Sequence, residues 1–172
     1  MLKRKRRTTI SDMVHSLLKA EVTNICPLCG KFERTSQEFT AHHINHDSSV
    51  SEFWNLIRIC RECHDDLTEN KQDGVREKRV KEVKKQLFRT HFGPDACNAL
   101  VLAAENDKVT CSPVTALMLV RRVYVKMFRE NILTVGPATN VSTFDIYEIT
   151  PAGQVVVERL RLASMFGAQE KF

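Results

Sequence analysis

The chain has 172 residues, a net charge of +5 from 26 Lys/Arg against 21 Asp/Glu, and six cysteines. That length suits one ordinary domain or two small ones, and apolar runs such as Ala99–Ala104 and Ala116–Val120 fall far short of the roughly 20 residues needed to cross a bilayer. A membrane span is therefore excluded. Four of the cysteines form two Cys-x-x-Cys pairs and no signal peptide is recognisable ahead of them, so the expected setting is a reducing, intracellular and cytoplasmic one.

The chain opens on a basic arm, residues 1–10, in which Lys3, Arg4, Lys5, Arg6 and Arg7 stand without an acidic neighbour. Such a run gains nothing from folding and usually finds a polyanion. Ser11 then caps a short predicted helix with Met13, Val14, Leu17 and Leu18 on one face. Within the region 23–70, Glu38–Ile44 reads as a strand and Asp47–Val50 as a turn or loop. Phe53–Ile59 leads into the second cysteine pair, and His64 opens a helix over Asp65–Asn70. From Gly74 to about Thr90, Val80, Val83 and Leu87 draw one apolar stripe on a charged helix. The stretch Lys71–Phe92 carries eight basic residues against three acidic, which is either a phosphate-tracking face or simply a solvated one.

Gly93-Pro94 marks the expected boundary between a first domain, residues 11–92, and a second, residues 93–172. Beyond it, Asp95–Ala104 and Ser112–Glu130 are predicted helical, the latter with Ser112 as cap and Pro113 at its first position. Strand character follows at Ile132–Val135 and Thr143–Ile149, and Pro151 opens a last helix through about Ala163.

Chemistry concentrates in residues 26–64. Cys26/Cys29 and Cys60/Cys63 supply four soft ligands, the number a closed tetrahedral zinc site needs. Between and just after them stand His42, His43, Asn55 and His64. Cys-x-x-Cys, then His42-His43-Ile44, then Asn55-Leu56, then Cys60-x-x-Cys63-His64 resembles an HNH endonuclease of the ββα-metal type. The resemblance covers about a quarter of the chain.

What it implies can be assigned residue by residue. His43 would be the general base that takes a proton from the attacking water. Asn55 would brace the loop that presents His43, and His64 would hold a catalytic cation from the start of the helix. His42 stands where many members carry an aspartate, and would be the second protein ligand. Imidazole in place of carboxylate softens the site, favouring Zn²⁺, Ni²⁺ or Mn²⁺ relative to Mg²⁺. Cys26, Cys29, Cys60 and Cys63 would form a separate structural zinc site. His46 and Asp47 either touch metal or phosphate or are plain loop residues, the second being favoured. Phe53 and Trp54 are read as core rather than as a base-stacking platform. Arg58 and Arg61 point at phosphate or merely solvate the knuckle, and His15 and His91 are ordinary surface or packing residues.

The helix, helix, two-stranded hairpin and helix of residues 95–163, with Ile149-Thr150-Pro151-Ala152-Gly153 at the last junction, resemble a winged-helix module. On that resemblance Arg121, Arg122, Lys126 and Arg129 of one long helix would face DNA, unless they are its solvated face and the module serves dimerisation. The expected fold class is thus α+β: a small zinc-stabilised ββα-metal (HNH) domain, a connecting helix and a winged-helix-like α/β module. The leading functional expectation is a metal-dependent endonuclease acting on double-stranded DNA, in a bacterial or phage-like setting, with a homodimer or a protein partner left open. A non-catalytic, zinc-stabilised DNA-binding regulator is the alternative. An RNA nuclease or RNA-binding module is disfavoured because the chain has only two Tyr and one Trp for stacking.

Overall fold

The computed structural model describes residues 9–135 and 141–162, so the basic arm with Lys3, Arg4, Lys5, Arg6 and Arg7 lies outside the described residues. The architecture is mixed α+β and divides into two compact units, one ending at His91 and the other beginning at Phe92. Among the described residues no helix is long and apolar enough to cross a membrane.

In the first unit, helix α1 (Asp12–Glu21) starts where Ser11 accepts a hydrogen bond from the Val14 amide at 3.4 Å. A hairpin follows, of β1 (Thr40–His43) and β2 (Leu56–Ile59), antiparallel, with His42 opposite Ile57 and His43 opposite Leu56. A single 3₁₀ turn, Phe53–Asn55, leads into β2. Helix α2 (Arg61–Glu69) is separated from β2 by one residue, Cys60, which is its N-cap. Helix α3 (Gly74–Asn106) then runs across the unit boundary. Strand, strand and helix close on a core of Val22, Cys26, Phe39, Ile44, Ile57, Ile59, Cys60, Leu67 and Val80, with Val83 and Leu87 packed against it. The apolar stripe of α3 is thus its seam.

One polar pair also lies inside this unit. Lys84 of α3 and Glu21 of α1 are completely buried, and the Lys84 ammonium lies 3.6 Å from the centre of the Phe53 ring. Burial holds the Glu21 carboxyl above its ordinary range although Lys84 pulls it down, and burial lowers the Lys84 ammonium to about 8 although Glu21 pulls it up. Phe53 itself is buried, and its ring centre is 6.3 Å from that of Phe88.

Gly93 interrupts α3 with φ 79° and ψ 165°. Proline at 94 has no amide to donate and pushes its predecessor out of helical space, and the positive φ is one that glycine adopts without a Cβ penalty.

The second unit holds β3 (Lys108–Thr110), α4 (Pro113–Arg121), β4 (Val125–Val135), β5 (Val141–Ile149) and α5 (Pro151–Leu160). Its three strands form an antiparallel sheet in the order β3-β5-β4. Two sequence expectations are corrected here. The long helix Ser112–Glu130 stops at Arg121, because Val123 takes φ 60°, the Val123 amide donates to Val120 O at 2.9 Å and the Tyr124 amide to Leu119 O at 3.0 Å. That is a Schellman stop with a valine where glycine usually stands. Arg122 is therefore the C-cap, and Lys126 and Arg129 lie on β4, where Lys126 pairs with Glu148 at 2.9 Å. The expected two-stranded hairpin also gains a third strand, since β3 pairs with Ile146–Glu148 of β5.

The α5 junction is closely fitted. Thr150 caps α5 by accepting from the Gly153 amide at 3.1 Å, and its hydroxyl donates to Tyr124 O at 3.1 Å. A Cβ on Gly153 would fall 2.2 Å from that same carbonyl oxygen.

Candidate metal centre and histidine cluster

Two turns bring the cysteines together. Gly30, at φ 77°, closes the first knuckle by donating to Cys26 O at 2.8 Å, and the Cys26 amide donates to Lys31 O at 2.8 Å. Cys60 follows β2 as the N-cap of α2, and Cys63 sits in the first turn of that helix. The four Sγ atoms lie within 4.8 Å of one another, with Cys26–Cys63 at 3.9 Å and Cys29–Cys60 at 3.6 Å. A zinc ion bonded to four sulfurs at about 2.3 Å has S···S edges of about 3.8 Å, so the set fits that ion, while the separations are far beyond a disulfide bond of about 2.05 Å. Burial opposes ionisation of Cys26, yet the backbone amides of Cys60, Leu28 and Cys29 together bring its thiol down to about 7. Burial pushes Cys60 up to about 11 and Cys63 well above its usual range. Without a cation the cluster therefore resists carrying four negative charges, which is the deficit a divalent ion makes good.

The same two elements gather histidines. His42 on β1 is buried, and its ring centre is 5.2 Å from that of His64 on α2, with the planes at 85°. His64 follows Cys63 directly, and its amide donates to Cys60 O at 3.0 Å, so its backbone is fixed by the same turn that carries Cys60 and Cys63. A second ring also meets His42: that of His46, at 5.3 Å and 81°. Burial, then the charges of His64 and His46, lowers the His42 imidazole to about 4, so near neutrality it presents a free lone pair. His64 Nδ1 lies 3.3 Å from Asp65 Oδ1.

His43 is the last residue of β1, and strand alternation carries it to the face opposite His42. There its Nε2 lies 3.4 Å from Ser51 Oγ. The loop after β1 is tied to Asn55, which is almost wholly buried. The Asn55 side chain accepts from the Asn45 amide at 3.1 Å and donates to Asn45 Oδ1 and Val50 O, each at 2.8 Å. Its backbone carbonyl accepts from Ile44 at 2.8 Å.

Among the histidines the structure therefore gathers His42, His64 and His46. The contact of the His46 ring with His42 is a packing relationship that the sequence reading of His46 as a loop residue did not include. Arg58 does not reach outward for phosphate. It is buried, pairs with Glu33 and donates to Val22 O at 3.4 Å and Thr23 O at 3.2 Å. Arg61 is exposed, with Asp65 at 3.7 Å. His15 is exposed, and the His91 ring stands 6.3 Å from Phe53.

Neither the comparison with curated proteins nor that with solved structures finds a match. The family model for HNH endonuclease matches residues 26–70, the segment that holds the zinc-suited cysteine cluster and the His42–His64 pair.

Proposed function

We propose that the chain is a metal-dependent DNA endonuclease that hydrolyses phosphodiester bonds at the end of β1. The observation that carries this reading is the approach of His42 and His64 within 5.2 Å inside the matched segment. Two imidazole nitrogens that bind one cation at about 2.0–2.1 Å and a near-tetrahedral angle set their ring centres about 5 Å apart. His42 and His64 thus fit a divalent cation, Zn²⁺, Ni²⁺ or Mn²⁺ in preference to the harder Mg²⁺. When bound, such an ion supplies a positive charge against the phosphate and the departing 3′ oxygen.

The chain's own groups do the rest. His43 accepts the proton of the attacking water through an imidazole nitrogen. Asn55 is a positioning residue, holding Asn45 and Val50 so that the loop beyond His43 keeps one shape. Cys26, Cys29, Cys60 and Cys63 hold a structural zinc that keeps His64 opposite the hairpin.

Lys3, Arg4, Lys5, Arg6 and Arg7, with the basic face of α3, contribute sequence-independent phosphate contacts. The second unit is read as a winged-helix-like DNA-holding module; its order of helix, strand, helix, two strands and helix, with sheet order β3-β5-β4, supports this. Arg121 and Arg122, at the end of α4, are the residues assigned to DNA, with Lys126 partly engaged by Glu148.

Purified protein tested on supercoiled plasmid with Mn²⁺, Ni²⁺, Zn²⁺ and Mg²⁺ in separate reactions checks the reading. Cleavage is expected with at least one of the first three, and His43→Ala should abolish it while DNA binding persists. Undiminished cleavage by His43→Ala would remove the base assignment. Absence of cleavage under every metal, with binding retained, would instead favour the non-catalytic regulator.

A further inference from the structure

We propose that Lys84, held by Glu21, is a positioning residue for cleavage: its ammonium braces the ring of Phe53, and through the short turn Phe53–Asn55 it sets the loop that presents His43. This rests on the proposed function and deepens it, since it names a residue far along the chain on which the placement of the base depends.

The connection is continuous in the first unit. Lys84 Nζ meets both Glu21 carboxylate oxygens, at 2.8 and 2.6 Å, and lies 3.6 Å from the centre of the Phe53 ring. Phe88, one turn further along α3, places its own ring 6.3 Å from that of Phe53. Helices α1 and α3 thus grip the first residue of the 3₁₀ turn that ends on Asn55. Phe53 and Asn55 are both buried, and the Asn55 amide donates to Glu52 O at 2.9 Å, so a rotation or shift of Phe53 is passed to Asn55 within two residues. The Asn55 side chain holds the Asn45 amide and Val50 O. Ser51, next after Val50, sets its Oγ 3.4 Å from His43 Nε2.

Stability alone does not call for charges at this place, because apolar side chains of similar volume commonly replace a buried ion pair at no loss. What an apolar pair does not reproduce is direction. A cation pinned by two carboxylate oxygens is drawn to the negative face of an aromatic ring, an attraction that is strongest where water is excluded. Lys84 and Glu21 are beyond the reach of solvent, so the ring is held in one orientation, whereas aliphatic contacts leave it freer to turn.

The test is supercoiled-plasmid cleavage kinetics on full chains that retain one structural zinc, under a metal that supports wild-type activity. Wild type, Glu21→Leu/Lys84→Met, Phe53→Leu and the triple variant that combines them are compared where urea unfolding shows each to be folded. Co²⁺ uptake at the His42–His64 pair is followed by calorimetry in parallel.

Glu21→Leu/Lys84→Met is expected to keep its KM and Co²⁺ uptake and to lose about tenfold in kcat, the cost of a misplaced catalytic group. Phe53→Leu should lose a similar factor, and the triple variant no more than either, because both changes break one connection. Wild-type kcat in the folded Glu21→Leu/Lys84→Met would overturn the proposal and leave the parent reading standing. Losses that multiply in the triple variant would likewise overturn it, since Lys84 would then not act through Phe53. If the exchanged pair does not fold, Phe53→Leu decides alone: a loss in kcat at unchanged KM supports the proposal, and wild-type kcat overturns it. No cleavage by wild type under any metal would overturn the parent reading and this proposal with it.

Discussion

Lys84 Nζ lies 2.8 and 2.6 Å from the two carboxylate oxygens of Glu21, and neither side chain is reached by solvent. Removing one partner strands a buried charge, so Lys84→Met should cost about 3–5 kcal/mol, whereas Glu21→Leu/Lys84→Met should be close to neutral or stabilising. Burial already raises Glu21, and loss of Lys84 raises it further. A folded-state value above the unfolded one contributes stability below the unfolded value and loses it as pH climbs through the folded value. The deficit of Lys84→Met should therefore be small near pH 4.5, the ordinary value for Glu21, and grow as pH rises. Urea midpoints measured across pH for wild type and both variants check the sign.

Zinc removal should unfold the first unit. Cys26 and Cys60 belong to its core, and a small core of this kind depends on its metal. The chain's one tryptophan, Trp54, lies in that unit and is half-buried. A strong chelator should shift its emission to the red, with reversal on adding Zn²⁺, and Cys29→Ser should behave as the chelated wild type. Unmoved emission after verified zinc loss would contradict this.

Asn55→Ala deletes three hydrogen bonds around the loop after β1 and leaves the Asn45 amide and Val50 O without that partner. A cost of about 1–3 kcal/mol follows for each buried group left unsatisfied. Plasmid cleavage should fall even under conditions where the variant is fully folded, with Co²⁺ uptake retained. Activity at the wild-type level in a folded Asn55→Ala would remove its positioning role.

Gly153→Ala should destabilise the second unit by about 1–3 kcal/mol, because the new methyl meets the Tyr124 carbonyl oxygen at 2.2 Å. Both tyrosines of the chain, Tyr124 and Tyr147, are in this unit, so the near-ultraviolet tyrosine signal during heating is the readout. A melting point at or above wild type would show that the α5 junction yields.

For DNA binding, the slope of log K against log salt reports phosphate contacts. If the arm's five cations all meet phosphate, deleting residues 3–7 should reduce the steepness by about 4–5. Fluorescence anisotropy with a short duplex at several salt concentrations measures it, and an unchanged slope would take the arm out of the interface.

The cysteine pairs, the Ser11, Ser112 and Thr150-Pro151 helix starts, the α3 stripe and the Gly93-Pro94 break were legible in the chain itself. Each depends on ligand spacing, capping chemistry or a fixed φ, and those act over a few residues. The end of α4 was not legible, because Val123 stands where a glycine or asparagine would have announced it. Strand β3 is three residues long and owes its existence to a partner more than thirty residues away. Lys84 looked like one more cation on a charged helix until Glu21 and Phe53 came to surround it. Residue types and spacing alone determined that a four-cysteine set suited to zinc and an HNH-like set of histidines were present. Only tertiary structure decided which rings converge, since His42 and His43 alternate across one strand while a left-handed turn returns His46 to the same side. Contact between side chains from a strand, a turn and a helix depends on long-range packing, and local sequence does not encode it.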